Sequence, residues 1–124
     1  MEIKTYFFDT YAFHEIVANN KNYKPFTDNV GIVTTKLNLM ELYYGSLLEH
    51  NKRVADKVYD SLVKFCVSIS DDVIKEAMLF KVLNKNKNLS YVDCVGYFVA
   101  RKMNIKFLTG DKEFKDLDGV EFVK

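Results

Sequence analysis

Short β-branched and aromatic runs alternate along this chain with segments of helical periodicity, and that alternation limits the fold more than any other feature. Ile3-Lys4-Thr5-Tyr6-Phe7-Phe8 reads as a buried strand that stops at Asp9. Ala12, Phe13, Ile16 and Val17 follow at helical spacing, and the Asn19-Asn20-Lys21-Asn22 cluster ends that helix. Gly31 to Thr35 reads as a second strand. A helix from about Lys36 to His50 follows, with Leu37, Met40, Tyr44, Leu47 and Leu48 on one stripe. Val54, Val58, Leu62 and Phe65 outline a further helix, and Cys66-Val67-Ser68-Ile69 is strand-like. Ser70 is placed to cap a helix through Val73, Ala77 and Phe80. After the polar loop from Asn84 to Asn88, Ser90 opens a helix carrying Val92, Val95, Gly96, Val99, Ala100 and Met103. Ile105 to Thr109 and Val120 to Val123 are the last strands, with a short helix between them. Strands separated by helices need crossover connections. The expected architecture is therefore a three-layer α/β/α sandwich, with a central, mostly parallel sheet of four or five strands covered on both faces. The 124 residues suit one domain, residues 1–124, and 48% hydrophobic content excludes a disordered chain.

The two cysteines, Cys66 and Cys94, form no CxxC pair and sit in apolar runs, so both read as small buried hydrophobes. The opening Met-Glu-Ile-Lys lacks the basic and apolar regions of a signal peptide. No apolar run approaches the roughly 18 residues of a membrane span. A reduced, cytoplasmic protein with no membrane association is expected.

In a parallel sheet of this kind, the functional crevice lies beyond the carboxyl ends of the strands. Asp9 directly follows the first strand and Asp111 follows the strand ending at Leu108-Thr109, so both face that edge. A helix cap is the competing reading for Asp9. Leu37, Glu41, Tyr44 and Leu48 are spaced i, i+4, i+7, i+11, which puts Glu41 along an apolar helix face or at its edge. A carboxylate there needs a cation, a proton or a cleft. Ser90-Tyr91-Val92-Asp93 fits a capping box, yet Asp93 also shares a face with Gly96, Tyr97 and Ala100. Gly96 and Ala100 are small, as expected where a helix lies close to the sheet. Four carboxylates gathered at one edge repel one another unless divalent cations fill the space. An all-oxygen donor set without His or Cys suits Mg²⁺ or Mn²⁺ rather than zinc, and points to phosphodiester chemistry. His14 and His50 lie outside the pattern and read as packing or surface residues.

Taken together, Asp9-Thr10 after a first strand, Glu41 in Asn38-Leu39-Met40-Glu41-Leu42, the Ser90-Tyr91-Val92-Asp93 helix start and Leu108-Thr109-Gly110-Asp111-Lys112-Glu113-Phe114 resemble a PIN domain. The resemblance spans essentially the whole chain, in order and spacing. Small stand-alone members are mostly VapC-like toxins, ribonucleases of toxin–antitoxin pairs. The resemblance implies a metal-dependent endoribonuclease hydrolysing RNA, with Asp9, Glu41, Asp93 and Asp111 as both catalytic residues and metal ligands. It places Thr10 and Thr109 beside the first and last acids, orienting carboxylates or water, with Asp116 as an outer carboxylate or a solvated charge. It also implies a homodimer and a VapB-like antitoxin. Tyr11 departs from the small residue usual after Asp-Thr, and Cys94-Val95-Gly96-Tyr97 departs from an Ala-rich run. A nuclease must also hold a polyanion. Lys85 and Lys87 precede Ser90, Arg101 and Lys102 follow Asp93, and Lys112 adjoins Asp111, so these five are candidate RNA contacts.

Other α/β readings fit less well. A receiver domain needs an acidic pair after the first strand, where only Asp9 stands, and Tyr11 occupies the second Asp position of a DxDx[TV] phosphatase. A catalytically silent PIN-like module binding RNA or a protein is the alternative, against which the intact acidic quartet argues. Lys and Arg total 18 against 17 Asp and Glu. With four acids committed to a metal-loaded pocket, the remaining charges sum to +5, a modest excess suited to a nucleic-acid partner.

Overall fold

The computed structural model describes residues 2–124. Its sheet holds β1 (Lys4–Phe8), β2 (Val30–Val33), β3 (Lys106–Thr109) and β4 (Val120–Phe122), in the order β2-β1-β3-β4. Every neighbouring pair is parallel: Lys4 lies opposite Val30, Tyr6 opposite Lys106, and Phe107 opposite Val120. The helices are α1 (Thr10–Val17), α2 (Lys36–Glu49), α3 (Lys52–Leu62), α4 (Asp71–Leu83) and α5 (Tyr91–Met103). None is long and apolar enough to cross a membrane.

Strand alternation builds a separate core on each face of the sheet. Phe7 and Phe107 point to one side and pack with Val73 and Ala77 of α4 and Val95, Val99 and Ala100 of α5. Tyr6, Phe8 and Leu108 point to the other and pack with Ala12 and Phe13 of α1 and Leu39 and Leu42 of α2. At Gly96 the helix lies so close to the sheet that an added Cβ would stand 2.9 Å from the Phe7 ring and 3.2 Å from the Phe107 ring. That contact fixes the height of α5 above β1 and β3, and with it the position of the first turn of α5.

The expected strand at Cys66 to Ile69 does not form. A 3₁₀ turn at Val63–Phe65 leads instead to a single parallel bridge between Thr34 and Cys66. Val67 donates to the Thr34 carbonyl, and the chain then turns away to Ser70, which caps α4 by accepting from the Val73 amide. Cys94 is buried as expected, whereas Cys66 is only partly so. Asn19, with φ of 61°, ends α1, but the cluster that follows is not merely a loop. It enters a 3₁₀ segment, Lys21–Phe26, that buries Tyr23 completely and ties its hydroxyl to the Val123 carbonyl at 2.6 Å.

The rotation of α2 also differs from the expected stripe. Its inward face is Asn38, Leu39, Leu42 and Ser46, while Met40, Tyr44, Leu47 and Leu48 are exposed. The helix is apolar on two faces, so periodicity alone could not choose between them. Buried polar bonds set the choice: Thr35 caps the helix by accepting from the Asn38 amide, and the Asn38 side chain donates to Thr10 of α1 at 3.1 Å.

Candidate active site

β1 and β3 run side by side to the same edge, where the Asp9 amide donates to the Leu108 carbonyl at 3.1 Å. This register delivers Asp9 beside Thr109, whose hydroxyl donates to Asp9 Oδ2 at 2.9 Å across 100 residues of sequence. Asp9 occupies the cap position of α1 but makes no side-chain capping bond. It is 2% exposed, and its Oδ1 is a fully buried oxygen with no hydrogen-bond partner among the described residues. A carboxylate in that state is costly unless a proton or cation meets it. Burial first, then the neighbouring Asp93 and Glu41 charges, push Asp9 up to about 8, with the Thr109 hydroxyl offsetting part of the rise.

Glu41 reaches the edge from α2. It is half-buried at the boundary between the inward face and the exposed strip, and the Thr10 hydroxyl donates to its Oε1 at 2.7 Å. Burial raises its pKa, the Thr10 bond counters this, and Asp93 adds to the rise. Asp93 enters from the first turn of α5 and closes a capping box. The Ser90 amide donates to its Oδ2 and the Asp93 amide donates to the Ser90 hydroxyl, both at 3.0 Å. Its Oδ2 is thus committed to the cap. Burial again dominates the upward shift of Asp93, with Asp111 contributing. Asp111 follows Gly110 after β3, where its amide donates to the Thr109 hydroxyl and its Oδ1 accepts from the Glu113 amide. The four acids therefore form one electrostatic neighbourhood built from β1, β3, α2 and α5, and both threonines bond to carboxylates of the set.

The donor chemistry fits a hard divalent cation: every donor is a carboxyl oxygen, one is orphaned, and three of the groups are held towards their protonated form mainly by burial and mutual repulsion, which a cation would relieve. Among the described residues no three acid, imidazole or thiol groups converge tightly enough to enclose an ion by themselves. Mg²⁺ ordinarily takes one or two carboxylates and completes its octahedron with water and phosphate oxygens, so an open arrangement suits it.

The other expected site residues divide by position. Lys85 and Lys87, with Lys81, line a cavity of about 470 Å³ beside Tyr91. Lys87 Nζ donates to the Glu113 carbonyl at 3.1 Å, which joins that loop to the one carrying Asp111. Lys112 is exposed next to Asp111. Arg101 and Lys102 lie in the last turn of α5, about 12 Å along the helix from Asp93, and the structure does not bring them to the cleft. Arg101 packs against Gly119, and Lys102 donates to the Ser70 hydroxyl at 3.1 Å. Asp116 is exposed, with no hydrogen bond to the quartet. His14 packs over Gly45 and His50 is exposed, both outside the quartet.

The PIN domain family model matches residues 6–120. The chain belongs to the PIN domain family. Solved structures with the same fold include Mycobacterium tuberculosis VapC20, a sarcin-ricin loop cleaving toxin, at TM-score 0.79 and 18% identity, covering 96% of this chain and 99% of that one. A toxin–antitoxin complex from Klebsiella pneumoniae matches at TM-score 0.75 and 18% identity, covering 93% and 94%. VapBC2 from Rickettsia felis, bound to a DNA fragment from its promoter, matches at 0.73 and 17%, covering 97% and 99%. No curated protein matches this chain by sequence.

One residue of this PIN domain's site carries no role in the sequence reading, although it stands three positions before Glu41 on the same helix face. Asn38 is completely buried. It accepts from the Thr35 hydroxyl at 2.7 Å and donates to Thr10 Oγ1, which in turn donates to Glu41. Little in the sequence signals it, because periodicity leaves two faces of α2 open and only the structure shows that Asn38 lies on the inward one. Asn38→Leu removes the middle of this relay and costs the Thr35 and Thr10 hydroxyls one buried hydrogen bond each. Chemical denaturation should show a loss of about 1–3 kcal/mol. A Mn²⁺ titration followed by melting temperature should show weaker binding by roughly 10-fold or more.

Proposed function

We propose that this PIN domain is a metal-dependent endoribonuclease that hydrolyses RNA phosphodiester bonds and serves as the toxin of a toxin–antitoxin pair. The observation that carries the reading is Asp9: a buried, uncapped carboxylate with an orphaned oxygen, faced by Glu41 and Asp93. Asp9, Glu41, Asp93 and Asp111 are the residues that would hold Mg²⁺ or Mn²⁺. A divalent ion there supplies charge stabilisation on the phosphate and a water of lowered pKa. The chain's own contribution is to fix the carboxylates. Thr109 holds Asp9, the Asn38–Thr10 relay holds Glu41, and the capping box holds Asp93. Lys87, tied to the Glu113 carbonyl, and Lys112, beside Asp111, supply positive charge near the acids, as binding a polyanion requires. Lys85 lines the adjoining cavity, and among the described residues none of the three forms an ion pair.

Two exposed apolar strips support protein partners. Met40, Tyr44, Leu47 and Leu48 of α2 flank Glu41 and suit an antitoxin segment laid over the cleft. Leu79 and Leu83, one turn apart on α4, suit a second copy of the chain. The likeness to a toxin–antitoxin complex from Klebsiella pneumoniae supports the antitoxin assignment.

The test is a thermal melt in EDTA against Mg²⁺ and Mn²⁺, paired with cleavage of single-stranded RNA. The expected result is a melting temperature that rises with metal concentration by mass action, and cleavage that needs metal and is lost in Asp93→Asn. No metal-dependent shift and no cleavage would sink the proposal in favour of a silent binding module.

A further inference from the structure

The cavity beside Tyr91 has features that the acidic quartet does not explain. Tyr91 is the first residue of α5, yet its side chain is not packed into either core: it is 67% exposed. Its ring is held by Lys81, whose Nζ stands 5.0 Å from the ring centroid and donates to the Leu89 carbonyl at 2.6 Å. Lys85 and Lys87 line the same cavity, and no acidic side chain does. Among the described residues, none of these three lysines forms an ion pair with a carboxylate. The site combines an anchored, exposed aromatic ring with the Met78 and Val82 side chains and three lysines, of which Lys81 acts electrostatically on Asp93, in a volume of small-ligand size.

Position links this cavity to the acids. Tyr91 stands two residues before Asp93 on the same helical turn, and Lys87 is anchored to the carbonyl two residues beyond Asp111. We propose that Tyr91 is a nucleobase platform, with Lys81, Lys85 and Lys87 holding the adjoining phosphates, for the single-stranded RNA that runs next to the scissile bond. This rests on the ribonuclease reading and adds to it where the strand lies and what binds it. Aromatic stacking tolerates any base, so the platform gives position on the strand rather than a recognition sequence. An apolar protein surface seated here would leave Lys85 and Lys87 without counter-charge, whereas a nucleic-acid backbone neutralises them.

The experiment is fluorescence anisotropy with a labelled single-stranded RNA of roughly a dozen nucleotides, matched to the span such grooves cover, in EDTA so that nothing is cleaved. Tyr91→Ala and Tyr91→Leu should weaken binding about 5- to 20-fold and Tyr91→Phe less than about 2-fold, because stacking needs the ring and not the hydroxyl. Lys85→Ala with Lys87→Ala should reduce the slope of log affinity against log salt by about 1.4. Sedimentation velocity on the same variants reads the oligomeric state. If wild type binds and cleaves RNA while Tyr91→Ala and Tyr91→Leu bind as wild type does, the platform is refuted and the ribonuclease reading stands. If Tyr91→Ala instead converts a dimer to a monomer, the face belongs to a second copy and the platform is refuted. If wild type neither binds nor cleaves RNA with Mg²⁺ or Mn²⁺ present, the ribonuclease reading falls and takes the platform with it.

Discussion

Asp9→Asn is expected to lower metal-dependent RNA cleavage by about 10³-fold and, in the same protein, to raise the metal-free melting temperature. The two effects have one cause. Asp9 is buried with one oxygen unpartnered, and burial and its acidic neighbours push its pKa up to about 8. In the unfolded chain it ionises near the ordinary aspartate value of about 3.9. A folded-state pKa above the unfolded one means that stability is fully present below about pH 4 and is lost as pH climbs towards the folded value. Wild type in EDTA should therefore melt progressively lower between about pH 4 and pH 8, with the raised Glu41 and Asp93 steepening the decline. Asparagine has no charge to desolvate, so Asp9→Asn should be nearly neutral at low pH and more stable by about 5 kcal/mol near pH 8, roughly 15–20 °C for a chain of this size. Mn²⁺ should reverse the order, since the cation stabilises wild type and finds one ligand fewer in the variant. Differential scanning fluorimetry across pH, with and without Mn²⁺, reads both signs. A variant that melts below wild type in EDTA at pH 8 would show that Asp9 is held by partners rather than strained by their absence.

Gly110→Val should cost the most stability of any single change at the carboxyl edge, about 3 kcal/mol or more. A Cβ at this position meets the Tyr11 ring and the Val123 carbonyl at once. The ring could swing aside, but the carbonyl belongs to a backbone held on two sides. Val123 donates to the Thr109 carbonyl at 2.9 Å and accepts from the Tyr23 hydroxyl at 2.6 Å. Making room means parting the end of β3 from the chain beyond β4, directly under Asp111. Urea denaturation should show a large fall in midpoint with little change in slope, and adding Tyr11→Ala should recover only the part due to the ring. A midpoint equal to wild type would refute the clamp. Tyr11, the departure from a small residue in the Asp-Thr motif, thus packs on the Asp111 loop.

The fold was legible because its strands are short apolar runs bounded by unmistakable polar stops, and because strand–helix alternation leaves a parallel sheet as the economical arrangement. The acids were legible for the same reason: Asp9 and Asp111 end neighbouring parallel strands, so topology alone put them together. What stayed hidden depends on rotation and reach. Met40, Tyr44, Leu47 and Leu48 repeat at helical spacing as well as any core stripe, and only the Thr35–Asn38–Thr10 bonds show that they face outward. Glu41 is drawn into the cleft by the Thr10 hydroxyl, not by lying on a buried apolar face. Arg101 and Lys102 are near Asp93 in number, but a helix rise of about 1.5 Å per residue carries them to its opposite end. Cys66 to Ile69 has strand composition, but after one bridge to Thr34 the chain leaves for the α4 cap.

The bond from Thr109 to Asp9 joins residues 100 positions apart, through the pairing of β1 with β3. Loop-closure entropy makes such a contact late in folding, and a parallel pairing cannot be approached through a local hairpin. During synthesis the first acid leaves the ribosome long before the last. At about 5–20 residues per second, Asp9 waits roughly 5–20 s for the strand that completes its surroundings. The candidate centre therefore does not exist on any partial chain. If this domain cuts RNA, it cannot do so while most of its own length is still being translated.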